Sequence, residues 1–190
     1  MVYEIEKLKK QREERRIAME QKRKAKAERI LENQAQGKTG DVDFEGLIDV
    51  GRLDPYSPQP HTFDSKEKLI VCVRKRPIFQ QEEFNKQIDA LSCSNPLIRV
   101  HECKLKVDGV TKYVDRNQFG FDHTFSEIDS TDSVYEHTLR PNIELVVEGG
   151  LVTSFAYGQT GSGKTYTMIG IQNLAINELW NRFLFGGKIS

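Results

Sequence analysis

No apolar run in this chain approaches the ~20 consecutive residues that a bilayer-spanning helix requires. The first residues include Glu4 and Glu6 and lack an apolar core, so they do not read as a secretory signal. Cysteine is scarce. Cys72, Cys93 and Cys103 are odd in number and have no C-x-x-C spacing, which argues against a disulfide framework and against a zinc site. His61, His101, His123 and His137 are dispersed and read as structural or surface histidines rather than metal ligands. An intracellular, soluble protein in a reducing compartment is the expectation.

An excess of one charge is also missing, because 28 Lys and Arg balance 28 Asp and Glu. The balance hides an asymmetry. Residues 1–36 carry eleven Lys or Arg against seven Glu, a net of +4, so the remainder is slightly acidic. A basic arm on such a body suits a negatively charged partner. Residues 1–36 also contain no Pro or Gly and consist mainly of good helix formers. Acid-first pairs such as Glu6/Lys10 and Glu20/Lys24 support a helix. Its apolar positions are too sparse for a heptad seam, since Ile5 and Leu8 are followed in register by Arg12 and Arg15. The expectation is one exposed, charged helix.

Residues 37–67 read as a linker, punctuated by Gly37, Gly40, Gly46 and Gly51 and by Pro55, Pro58 and Pro60. Within it, Phe44, Leu47, Ile48 and Val50 are the apolar cluster expected to form a short helical turn that docks on a neighbour. Lys68 to Val73 reads as a central strand, followed by a polar, helical or irregular stretch around Gln80 to Gln87. Cys103, Leu105 and Val107 alternate with polar residues, and so do Phe119, Phe121 and Phe125. This period of two around Asp108-Gly109 predicts a β-hairpin with that pair at its tip. A helix is predicted from a cap at Thr131 or Asp132 to Glu148, interrupted at Pro141 and ended by Gly149-Gly150.

The densest signal follows. Gly158-Gln159-Thr160-Gly161-Ser162-Gly163-Lys164-Thr165 fits G-x-x-x-x-G-K-[ST]. Leu151 to Ala156 before it reads as a buried strand, and the residues after Lys164 are free to form a helix. Glycines let the loop amides turn inward, and a helix N-terminus favours anions. Lys164 is then placed to reach the β/γ-phosphates and the Thr165 hydroxyl to ligate Mg²⁺. The chain is expected to bind a nucleotide in an α/β fold with a mainly parallel sheet.

Set together, these residues resemble the kinesin motor domain. Phe155 to Met168 is similar to that family's phosphate loop, Val73-Arg74-Lys75-Arg76-Pro77 to its Arg-x-Arg-Pro element, and Phe121-Asp122-His123-Thr124-Phe125 to the strand before its first major helix. The resemblance implies an incomplete P-loop NTPase sandwich of the kinesin type with a mainly parallel central sheet, preceded by a charged helix. Residues 1–36 would be a basic neck, 37–67 a linker and 68–190 the N-terminal part of the motor domain. ATP and Mg²⁺ are the implied cofactors, with Arg74, Arg76 and Pro77 bordering the adenine. Tubulin or microtubules are the implied partner in the cytoplasm, nucleic acid and membrane are not, and there is room for a homodimer of the full-length protein.

Lys106-Val107-Asp108 resembles the hairpin-tip motif of the internal-motor, microtubule-depolymerising subfamily, which implies a tubulin contact at those three residues. Neither the Asn-x-x-Ser-Ser-Arg element nor the Asp-x-x-Gly element of that family follows the phosphate loop. Catalytic residues are therefore not assigned. The expectation is a fragment that binds ATP but hydrolyses it poorly, with apolar surface exposed along an unpaired sheet edge.

Overall fold

The computed structural model describes residues 2–35, 40–52, 57–62 and 68–185. They fall into two compact units. The first comprises Met1–Leu53, Ile78–Ala90 and Glu102–Asp115, and the second comprises Asp54–Pro77, Leu91–His101 and Arg116–Ser190.

In the first unit, α1 (Val2–Ala35) is the charged helix predicted from composition. Its side chains are exposed from Glu6 through Glu28 and become partly covered at Arg29, Ile30 and Asn33, where it meets α2. The second helix, α2 (Val42–Arg52), lies where a linker is predicted. Two internal glycines cost an exposed helix about 1 kcal/mol each. Burial of Ile48, which is 1% exposed, offsets roughly that much. The Asp41 carboxylate accepts from the Asp43 and Phe44 amides at 3.0 and 3.3 Å and caps the start. Asp43 also accepts from Lys26 of α1 at 2.8 Å. Propensity thus loses to a cap and a buried side chain.

The strands β3 (Leu97–Leu105) and β4 (Lys112–Gly120) form the predicted hairpin, and its outer half belongs to the first unit. Lys106 donates its amide to Thr111 O at 2.8 Å, and Gly109 sits at φ +68°, a conformation that favours glycine. Lys112 at the foot of the tip donates to both Asp41 oxygens, at 2.6 and 2.8 Å, and to Asp43 at 3.1 Å. The polar stretch read as helical or irregular contains one short helix, α3 (Gln80–Phe84).

In the second unit, β1 (Cys72–Arg74) pairs parallel with β5 (His123–Phe125), Val73 opposite Thr124. The predicted Lys68–Val73 strand is therefore shorter and displaced, and the alternating run Phe119–Phe125 is divided between two sheets. β2 (Leu91–Ser94) pairs antiparallel with the first residues of β3, Leu91 opposite Val100. Among the described residues β1–β5 is the parallel pair and β2–β3–β4 the other sheet, so a mainly parallel central sheet is not formed. Residues 151–156, predicted to be a buried strand, form no strand and have no ladder partner among the described residues. Leu151 is 96% exposed and Phe155 79% exposed. An apolar run becomes a strand only where neighbouring strands accept its backbone bonds, and no described strand lies beside this one.

Helix α4 (Thr131–Thr138) starts one residue before the predicted caps: Ser130 Oγ accepts from the Ser133 amide at 3.1 Å. The interruption predicted at Pro141 divides the segment into α4, a 3-10 turn at Arg140–Asn142 and α5 (Ile143–Val147), and Gly149 ends the series at φ +90°. The long final helix is α6 (Lys164–Phe185). The core lies where α4, α5 and α6 meet β5: Phe125, Val134, Tyr135, Ile143, Ile171 and Ala175. Tyr135 donates its hydroxyl to Glu178 at 2.7 Å, so its buried oxygen is satisfied. No helix among the described residues is long and apolar enough to cross a membrane. The tail Gly186 to Ser190 and residues 37–39, 53–56 and 63–67 of the predicted linker lie outside the described residues.

Histidines dispersed in sequence meet at Phe125. The His61 ring stacks on Phe125 at 4.6 Å, and its Nδ1 is 3.2 Å from Nδ1 of His123, with His137 4.8 Å away. Among the described residues no group of three or more His, Cys, Asp or Glu is arranged to hold a metal. One of the two Nδ1 atoms carries hydrogen and the other accepts, so the contact requires a neutral partner. His61 and His123 are both held below the usual imidazole range, first by burial and next by the charge of His137; Asp129 and Asp122 oppose the shift at His61 and His123 respectively. As pH falls through about 6.5, the unfolded chain takes up protons that the folded chain refuses. Thermal stability should therefore be flat above neutrality and decline below it. His61→Phe, which keeps the stacking, should flatten the decline in melts between pH 8 and 5.5.

Candidate functional site

The loop 158–163 is built on three glycines with positive φ: Gly158 at +150°, Gly161 at +82° and Gly163 at +90°. A β-carbon at Gly158 would lie 2.7 Å from Ser162 Oγ, so that position is closed to side chains by both conformation and space. The Ser162 amide donates to Gln159 O at 3.2 Å, which folds the loop back, and the Thr167 amide donates to Gly163 O at 3.0 Å, which opens α6. The pattern thus forms the loop and helix of a phosphate cradle, while the strand expected before it is absent from the described residues.

Lys164, the first residue of α6, turns its ammonium back on the loop and donates to Gly158 O at 2.7 Å and Gln159 O at 2.8 Å. Gln159 and Thr160 are exposed at the crest, and Thr165 is exposed on the first turn. Ser162 Oγ is buried and has no hydrogen-bond partner among the described residues. An orphaned hydroxyl is costly unless a ligand or water completes it. It stands next to helix amides that have no intrahelical acceptor. These groups are hydrogen-bond donors around a cationic side chain, so they fit a phosphate chain.

The Arg-x-Arg-Pro segment lies beside this loop in the same unit. Arg76 Nε donates to Gly161 O at 2.8 Å and its Nη1 to Pro77 O at 2.9 Å, so it braces the loop crest. Pro77 is exposed. Arg74 is turned inward: Nη1 donates to Thr131 Oγ1 and Thr167 Oγ1, both at 3.1 Å, and Nη2 to Asp129 O at 3.2 Å. Between them Lys75 is buried and paired with Glu127 at 2.9 Å. The sequence reading took Thr131 only as a helix cap and Thr167 only as part of the phosphate-loop run, and it missed Asp129. Gly170, a lone glycine within a helix, was the one available signal: a β-carbon there would meet Thr131 Cγ2 at 2.6 Å, because the helices touch at that point.

Lys106, Val107 and Asp108 lie together at the hairpin tip of the first unit. Val107 is fully exposed. The Asp108 carboxylate accepts from the Val110 and Thr111 amides at 3.0 and 2.8 Å and from the Thr111 hydroxyl. Bonds from Thr111, then Val110, hold it below the usual carboxylate range. Asp108 thus fastens the turn that displays its neighbours.

The sequence model of the kinesin motor domain matches residues 74–186. The chain belongs to the kinesin family. It is also 40% identical over an aligned length of 185 residues to a protein named diatom spindle kinesin-1, from Cylindrotheca fusiformis; the match covers 94% of this chain and 30% of that relative. The chain therefore spans about 30% of the length of the curated relative it matches. As a kinesin motor domain it combines helices with two small sheets, one of them parallel, and the matched span includes the phosphate loop, both arginines and all of the second unit's core. A P-loop protein of an unrelated class is set aside by this match. The tetrapeptide pattern Asp-x-x-Gly does occur at Asp43–Gly46, but it lies within α2, ahead of the matched residues, and Asp43 is engaged there by Lys26 and Lys112.

Proposed function

We propose that this chain is the ATP-binding part of a microtubule-associated kinesin motor of the depolymerising type. The observation that carries the nucleotide reading is the loop itself: three left-handed glycines, a buried hydroxyl without a partner, and Lys164 poised over the loop carbonyls. In the proposal Lys164, Ser162 and the first amides of α6 hold the phosphates, and the Thr165 hydroxyl ligates Mg²⁺. Arg76 and Pro77 border the base, and the parallel β1–β5 pair would be one part of a larger P-loop sandwich.

Phosphoryl transfer depends on groups that orient the attacking water and neutralise the γ-phosphate. A second reading is a tubulin-binding chain with little catalysis, favoured by the fully exposed Val107 at the hairpin tip. The depolymerising assignment is supported by the exposed Lys106–Val107 tip and the basic α1, whose charge complements an acidic filament surface. Both readings are tested by co-sedimentation with microtubules from about 0.01 to about 0.15 M salt, over which the Debye length shrinks from about 30 to about 8 Å. The expected result is binding that weakens with salt and with the double change Lys106→Ala, Asp108→Ala, without microtubule-stimulated ATP turnover in the same samples. Salt-independent binding would count against the tip and neck, and brisk turnover would count against the catalytic deficit.

A further inference from the structure

We propose that Arg74 is a positioning residue that sets the phosphate loop from behind and does not contact the base; this rests on the nucleotide reading of residues 158–165. Arginine offers five N–H groups in a planar fork. Three bonds of the Arg74 fork end on Thr131 Oγ1, Thr167 Oγ1 and Asp129 O, and the guanidinium carbon lies 5.6 Å from the Tyr166 ring centroid. Tyr166 and Thr167 belong to the first turn of α6, while Asp129 and Thr131 flank the start of α4. A single side chain at the end of β1 therefore ties both helix starts together.

The tie acts directly on the loop. Thr167 supplies the hydroxyl that Arg74 holds and also the amide that bonds Gly163 O, the loop's final glycine. Any shift of Thr167 away from Arg74 moves Gly163 and Lys164 with it. On the next turn, Gly170 faces Thr131 with no room for a β-carbon, so α6 has no slack toward α4. Arg76 holds the crest through Gly161 O, two residues along the same extended segment. To reach a base, Arg74 would have to release two threonine hydroxyls and a carbonyl. Its effect is therefore on the phosphate cradle and independent of which base is attached.

Calorimetric titration of the chain with Mg-ATP and with magnesium tripolyphosphate, which has no base, separates the two roles. Arg74→Lys is expected to weaken both ligands by the same factor, about tenfold, and Thr167→Val to reproduce part of that loss. Lysine keeps the charge and loses the fork, so an unaltered affinity for both would overturn the proposal. Loss for ATP alone would overturn it too, by making Arg74 a base contact. Hydrogen exchange supplies a readout without ligand: the Thr167 amide should exchange faster in Arg74→Lys while those of Val134–Thr138 hold. Unchanged exchange at Thr167 would sink the clamp. If Arg74→Lys speeds exchange throughout, Thr167→Val decides by the same two amide groups. A wild-type chain that binds neither ligand would overturn the nucleotide reading, and the exchange result would then judge the clamp by itself.

Discussion

Lys164→Ala is expected to weaken Mg-ATP binding by roughly 10- to 100-fold, the range that loss of one charge-assisted hydrogen bond produces. The residue opens α6 and points its ammonium across the loop onto Gly158 O and Gln159 O. Those carbonyls lie at the exposed crest, where water replaces the ammonium at small cost. The substitution should therefore leave the melting temperature nearly unchanged while it abolishes most of the affinity. Phosphate binding requires the ammonium to leave the carbonyls and meet the anion, so the loop bonds are a resting arrangement. Lys164→Arg should recover little, because a planar fork does not fit where a compact point charge turns within the loop. Calorimetric titration of both variants checks the claim, and a loss smaller than about threefold would remove Lys164 from the phosphate site.

This kinesin's loop was legible in its sequence because its chemistry is local. Glycine at positions 158, 161 and 163 dictates backbone conformation without help from distant residues. The hairpin was legible for the same reason, since alternation around Asp108-Gly109 sets strand, register and tip within twenty residues or so. The charged helix α1 needed only composition. What the sequence concealed depends on partners far along the chain. Residues 42–52 look like a linker until Ile48 is buried and Asp41 caps them. Residues 151–156 look like a buried strand and form none, because apolar patterning says what a segment prefers and not whether a ladder awaits it. The parallel pairing of β1 with β5, the Arg74 fork and the meeting of His61, His123 and His137 all join residues dozens of positions apart. Composition carries no trace of such pairings.

Phe125→Ala should be the most damaging single change to stability, costing about 3–5 kcal/mol. Phe125 is fully buried, with Val134, Tyr135, Ile143, Ile171 and Ala175 in the same core and His61 stacked on its ring. It ends β5 opposite Arg74, and its carbonyl accepts the Lys75 amide at 2.8 Å. A two-stranded sheet is marginal without a packed face, so removing this ring also loosens the strand that carries Arg74. The melting temperature should fall by roughly 10 °C for a chain of this size. By contrast, Ile176→Ala on the exposed side of α6, where the side chain is 62% exposed, should stay within about 0.5 kcal/mol. Because the phosphate loop is held through Arg74 and α6, the phenylalanine variant should also lose ATP affinity at temperatures where it is still folded. Comparable melting curves for the two variants would mean that the core of this unit does not center on β5.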